Sequence, residues 1–251
     1  MTRDRFVDIA PGLLQPDWDL PEGAGALLTT RAGGQSTGPF ASFNLGGHVG
    51  DDPAAVAANR ARLRGFLPAD PLWLNQVHGA AVADSDLSEG VPEADAVLAR
   101  SSGRVCAVLT ADCLPVLLCD DDASVVAAAH AGWRGLAAGV LEATLDALAL
   151  PADQVLVWLG PAIGAQAFEV GAEVREAFIA QHAEAAEAFR PSHNAGKFMA
   201  DIYQLARIRL AARGVTAVYG GDFCTYNDPR FYSYRRSAQT GRFASLIWLG
   251  D

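Results

Sequence analysis

The chain is predicted to be an α+β protein with a mixed sheet, and three observations carry that prediction. Short apolar runs bounded by Gly, Pro or Asp recur along the 251 residues, as expected of strands covered on both faces. Helical periodicity appears in separate stretches among them. Two of the runs are joined by Asp120-Asp121-Asp122-Ala123-Ser124, a connection that suits an antiparallel hairpin.

In chain order, strand character falls at 26–30, 105–109, 116–119, 125–129 and 155–159, with two more strands at 215–219 and 245–249. The hairpin joins 116–119 to 125–129. A helix is expected over 136–148, where Val140, Leu141, Thr144, Leu145 and Leu148 share one face. A second helix is expected over 171–189 and a third over 202–212. The third has clear ends: Asp201 can cap it with Gln204 three residues on, and Gly214 can close it in the left-handed conformation. No Pro/Ser linker, charge block or internal repeat divides the chain, so residues 1–251 read as one domain.

Half the residues (51%) are hydrophobic, enough for a substantial core. The net charge of −10 argues against a general nucleic-acid surface, which would need a basic stripe, but allows a local anion site. Arginine supplies nearly all the cations, Lys197 being the only lysine. The first eight residues carry charges where a signal peptide needs an apolar stretch. Asp112, His130 and the Asp120 to Asp122 cluster interrupt every candidate membrane span. Cys106 and Cys119 lie in apolar runs and read as reduced core residues, so the expected compartment is the cytoplasm.

Two histidines and a cysteine carry the chemistry. They are His78 in Asn75-Gln76-Val77-His78-Gly79, Cys113 in Thr110-Ala111-Asp112-Cys113-Leu114-Pro115, and His130 in His130-Ala131-Gly132-Trp133-Arg134-Gly135-Leu136. Imidazoles and a thiolate are preferred zinc ligands, and three protein ligands leave a fourth position open for water or substrate. Cys113 follows one strand and His130 ends another. Pairing of the hairpin would bring them together at its open end, and His78 must then arrive from a distant loop. The alternative is a buried cysteine beside two hydrogen-bonded histidines.

These motifs resemble the laccase-domain family of multicopper polyphenol oxidase-like proteins, some of whose bacterial members are called peptidoglycan editing factors. Further matches are Thr29-Thr30-Arg31-Ala32-Gly33-Gly34, Phe43-Asn44-Leu45-Gly46, Leu159-Gly160-Pro161-Ala162-Ile163-Gly164, Phe168-Glu169-Val170-Gly171 and Cys224-Thr225-Tyr226. Phe231-Tyr232-Ser233-Tyr234-Arg235-Arg236 and Thr240-Gly241-Arg242 complete them, so the resemblance covers most of the chain. It implies a four-layer α/β/β/α sandwich with mixed sheets. It also implies a zinc-dependent purine nucleoside phosphorylase that deaminates adenosine and cleaves methylthioadenosine, with zinc on His78, Cys113 and His130. Purine nucleosides and phosphate are the implied partners; the oligomeric state is left open.

Arg31, in a glycine-rich stretch, is a candidate phosphate clamp, with Arg235 or Arg236 as the other choice. Asn44 and Gln76 can bond a purine edge or ribose hydroxyl, or can build turns. Phe43 or Trp133 could stack on a base, His48 could approach the site, and Cys224 could face it; His182 and His193 read as surface residues. A nucleotide-binding or scaffold protein without turnover would have little use for an open metal position, and two other functions compete. One is a metal-free thiol hydrolase or amidase acting on a peptidoglycan precursor, with Cys113 as nucleophile and His130 as base. The other is a copper oxidase, which would need more histidines than the five present. The paired H-x-E and P-C-x-x-C signature of zinc deaminases does not occur.

Overall fold

The computed structural model describes residues 6–250. The first five residues of the charged N-terminal segment lie outside the described residues. Two six-stranded sheets pack face to face. The first runs in the order Phe6–Ala10, Leu13–Pro16, Ala24–Thr29, Phe243–Leu249, Val105–Thr110, Pro71–Leu72. The second runs Ala217–Gly220, Val155–Leu159, Leu114–Asp120, Val126–Ala131, Ala96–Ala99, Val82–Asp84. The first is antiparallel except where Pro71–Leu72 joins it; the second is antiparallel at its centre and parallel at both ends. A small antiparallel sheet of Glu169–Gly171, Lys197–Ala200 and Phe189–Pro191 stands apart.

Side-chain alternation assigns each strand two jobs. In Leu114–Asp120, Leu117 and Cys119 pack toward the first sheet, among Cys106, Val108 and Ile247. Leu114, Val116 and Leu118 face outward onto the helices Val140–Leu148, Ala172–Ile179 and Ile202–Ala212. The first sheet is likewise two-sided, with Val105, Ala107 and Leu109 packed against Leu63 of the helix Pro53–Arg64. Helices therefore cover both outer faces, giving the α/β/β/α sandwich with mixed sheets that the resemblance implies. A buried Leu or Val in such a layer contributes about 1.5–3 kcal/mol relative to exposure.

The hairpin forms as expected, with Val116 opposite Ala129 and Pro115 opposite His130. The Ile202–Ala212 helix has its expected cap, the Asp201 side chain accepting from the Gln204 amide at 3.0 Å. Two helices differ from expectation. The stretch expected at 136–148 is two helices, Trp133–Ala138 and Val140–Leu148, because Gly139 takes a left-handed φ of 95° between them. The helix expected over 171–189 stops at Ile179. A 3₁₀ turn follows, and Phe189 starts a strand buried beside Phe178. Cys106 and Cys119 are buried free thiols. Among the described residues no helix is long and apolar enough to cross a membrane.

Candidate metal centre

His130 lies on the strand Val126–Ala131 with the parity of Val126 and Ala128, so its side chain turns toward the space between the sheets. Its Nδ1 is 2.8 Å from Oδ1 of Asp95, and its amide donates to the Asp95 carbonyl at 2.7 Å. Asp95 is fully buried and immediately precedes the neighbouring strand Ala96–Ala99. The same carboxylate accepts the backbone N–H groups of Val77 at 3.2 Å, His78 at 2.9 Å and Gly79 at 2.6 Å. That explains how the exposed loop holding His78 is held. His78 itself sits at φ 61°, a left-handed conformation uncommon for a residue with a side chain.

Cys113 occupies the turn between Val105–Thr110 and Leu114–Asp120. The residue before it, Asp112, has φ 89° and is almost buried. Asp112 is held from three sides. Its carboxylate accepts the Thr225 hydroxyl at 2.6 Å and the Arg235 amide at 2.6 Å, and its carbonyl accepts the Ile163 amide at 2.9 Å. The chain reversal that aims Cys113 is therefore stabilised by segments far away in sequence. Gly132 closes the group: a Cβ there would come 2.8 Å from His78 Nδ1 and 3.0 Å from Cys113 Sγ. Only glycine leaves both side chains where they are.

The ligand atoms of His78, Cys113 and His130 all lie within 4.8 Å of one another, and the two imidazole centroids are 4.8 Å apart. Two imidazoles and a thiol fit zinc or another thiophilic metal. The bond from Asp95 to Nδ1 of His130 leaves Nε2 as the atom able to bind one, the usual arrangement behind a metal-bound histidine. Burial alone would raise the Asp95 pKa, but hydrogen bonds from His130, Gly79 and Val77 hold it below the usual carboxylate value. Burial pulls the His130 pKa down, yet the adjacent Cys113 sulfur and Asp95 raise it to about 9. His78 goes the other way, lowered by burial and by His130.

The three side chains line a cavity of about 380 Å³. Ile163, Phe168, Ile202 and Tyr234 supply apolar wall, Leu109 and Trp133 add to it, and Arg134, Arg235, Arg242 and His48 supply polar rim. Gln76 and Arg235 line this cavity. Both side chains of this pair are already engaged, however. The Gln76 amide bonds both the N–H and the C=O of Leu109, at 2.8 and 2.9 Å, and the Arg235 guanidinium donates to the carbonyls of Ala167 and Glu169. Arg31 and Asn44 are not among the lining residues and serve the scaffold instead. Arg31 donates to the Ala41 carbonyl at 3.0 Å and stacks over Tyr232, while buried Asn44 bonds Gly46, Asp51 and the Arg242 amide. Phe43 is core and Trp133 lines the cavity. Cys224 accepts the Gly164 amide at 3.3 Å and does not line the cavity.

The sequence does not mark Asp95 as a site residue, nor Arg134 and Arg242 beyond their places in motifs. The only local signal at Asp95 is an acid set against an apolar run, Ala94-Asp95-Ala96-Val97-Leu98. A carboxylate in that setting is buried, and a buried carboxylate needs donors.

Residues 25–250 match the family described as multi-copper polyphenol oxidoreductase laccase, and the chain belongs to that family. A purine nucleoside phosphorylase of Pseudomonas aeruginosa, PA4543, is 63% identical over 239 residues, covering 95% of this chain and 98% of its own. The purine nucleoside phosphorylase YfiH of Escherichia coli is 53% identical, covering 94% and 98%. The crystal structure of protein NMB0706 of Neisseria meningitidis superimposes with a TM-score of 0.91 at 49% identity, covering 96% of this chain and all of that one. YlmD of Geobacillus stearothermophilus superimposes at 0.88 with 31% identity.

Proposed function

We propose that residues 1–251 form one domain acting as a zinc-dependent purine nucleoside phosphorylase on adenosine, inosine and methylthioadenosine, with adenosine deamination as a side activity. The observation that carries this reading is the placement of His78, Cys113 and His130 in a 380 Å³ cavity with arginines at its rim, in a chain whose relatives bear the phosphorylase name. Zinc held by these three residues would supply a positive centre that polarises a phosphate or water oxygen. The rest falls to the protein's own residues. Ile163, Phe168, Ile202 and Tyr234 shield the nucleoside from water, and Tyr234 offers an aromatic face to the base. In phosphorolysis a phosphate oxygen bonds the anomeric carbon as the bond to the purine nitrogen breaks. The purine leaves with that electron pair and takes a proton. Deamination exchanges the C6 amino group for oxygen from water and releases ammonia, with C6 turned toward the same three residues. We place this activity in the cytoplasm, with no nucleic-acid or membrane partner.

A second reading has one specific observation in its favour. Asp95 is bonded to Nδ1 of His130, and the Cys113 sulfur lies within 4.8 Å of the imidazole, an order that resembles a thiol hydrolase whose base is oriented by a carboxylate. A metal-free amidase acting on a peptidoglycan precursor would use that series. The zinc reading is preferred because it also employs His78, which a thiol hydrolase would leave idle. Copper oxidation is less well supported, since among the described residues this is the one group of three metal-ligating side chains. Product analysis decides. Adenosine with phosphate should give adenine and ribose 1-phosphate, plus some inosine; equally fast adenine formation without phosphate, with free ribose, would make the protein a nucleoside hydrolase.

A further inference from the structure

Resting on the phosphorylase reading, we infer that phosphate is held by Arg242 and Arg134 together with His48, and by neither Arg31 nor Arg235. Each guanidinium has five N–H donors, and where those donors already point separates the candidates. Among the described residues Arg31 uses only Nε, on the Ala41 carbonyl, and is set aside because it does not line the cavity. Arg235 is tied to the Ala167 and Glu169 carbonyls at 3.3 and 3.1 Å, with its face toward Phe168. Arg236 donates to the carbonyls of Thr225, Tyr226, Asp228 and Phe231.

Arg242 differs. Only its Nη1 is engaged, by the Thr240 and Gly241 carbonyls at 3.1 and 3.0 Å; among the described residues Nε and Nη2 have no protein acceptor. Arg134 stacks on Trp133, its Cζ 4.5 Å from the ring centroid, and donates to no acceptor among the described residues. His48 has none either. All three line the cavity that holds the triad. The Asp112 carboxylate keeps its negative charge near Arg242, but both of its oxygens already accept hydrogen bonds, from the Thr225 hydroxyl and the Arg235 amide, and it takes none of the Arg242 donors. Around His48 the charges are positive: burial lowers its pKa first, and Arg242, Arg60 and His130 lower it further.

Arg242 is also pre-organised. Its amide donates to Asn44 Oδ1 at 2.8 Å, and its stem lies against Gly46, where a Cβ would come 2.9 Å from Cγ. Asn44 is thus a positioning residue for this arginine. A half-buried guanidinium with a free fork, sharing one cavity with a second guanidinium and an imidazole, matches the oxygens of a tetrahedral dianion.

The test is adenosine turnover by zinc-loaded protein over a range of inorganic phosphate concentrations, in wild type and in Arg242→Gln, Arg134→Gln and Arg31→Gln. The phosphate KM should rise about tenfold or more in Arg242→Gln and several-fold in Arg134→Gln. The adenosine KM and zinc content should stay near wild type, and Arg31→Gln should leave the phosphate KM within about twofold. Arg242→Lys keeps the stem on Gly46 but loses the fork, so it should reproduce the defect even if the glutamine variant folds poorly. Phosphate-dependent wild-type turnover with an unchanged phosphate KM in both Arg242 variants overturns the subsite. Should wild-type turnover ignore phosphate, the phosphorylase reading falls on its own. Line broadening of inorganic phosphate in ³¹P spectra then tests the anion site: loss in Arg242→Gln supports it, and equal broadening overturns it.

Discussion

Nδ1 of His130 and Oδ1 of Asp95 are 2.8 Å apart, with side chains 4% and 0% exposed. Because the same carboxylate accepts the amides of Val77, His78 and Gly79, one group orients the ring of one candidate metal ligand and the backbone of another. Metal affinity and the shape of the 77–79 loop are therefore coupled through Asp95.

Asp95→Asn tests that coupling. Each carboxylate oxygen serves two donors: Oδ1 takes His130 and His78, and Oδ2 takes Val77 and Gly79. An amide must turn its NH₂ toward one of these pairs, either releasing the loop or forcing the proton of His130 onto Nε2. Zinc affinity, measured by competition with a chelating dye, should fall about 10- to 100-fold. Wild-type affinity would show that the carboxylate is not needed.

Gly132→Ala should strike the metal without striking the fold. The new methyl would lie 2.8 Å from His78 Nδ1 and 3.0 Å from Cys113 Sγ, at a residue whose φ of −62° alanine accepts. Zinc content should drop well below one equivalent while the metal-free melting temperature stays within a few degrees of wild type. Full zinc occupancy would mean that the two ligands can give way.

Metal uptake should release protons and depend on pH. In the metal-free site, burial opposes protonation of His130, but Cys113 and Asp95 raise its pKa to about 9. Below that pH zinc must displace the proton, so affinity should rise from pH 7 to 9 and flatten above it. Calorimetry in buffers of different ionisation enthalpy measures the protons released. A pH-independent affinity across this window would contradict the assignment.

The hairpin, and with it the meeting of Cys113 and His130, was legible because apolar alternation and an Asp-rich turn are local signals. The arrival of His78 was not. It depends on Asp95, which bonds partners 17 residues before it and 35 after it, through contacts that leave no local period. Arg31 and Asn44 illustrate the same limit from the other side. Their polar groups suit a ligand, but nearby backbone groups use them first. The helix Pro53–Arg64 carries little apolar signal in the sequence because few of its residues, chiefly Val56 and Leu63 among the apolar ones, are buried. The Ala/Glu run after Ile179 reads as helix, yet burying Phe189 beside Phe178 requires the chain to turn there.

Leu117 is fully buried between the two sheets, on the same strand as the hairpin but facing away from the helices. Leu117→Ala should cost about 2–5 kcal/mol in denaturant unfolding. It should leave zinc stoichiometry at one per chain where the protein is folded. A loss below about 1 kcal/mol would indicate that the inter-sheet layer is loosely packed there.

The central claim is that His78, Cys113 and His130 hold one zinc ion on which activity depends. The most direct measurement is metal content of the purified protein taken together with adenosine turnover, before and after chelation. We predict one equivalent of zinc per chain, loss of turnover when it is stripped and recovery when it is returned. Full turnover by metal-free protein would contradict the account and turn the Asp95, His130 and Cys113 series into a thiol hydrolase.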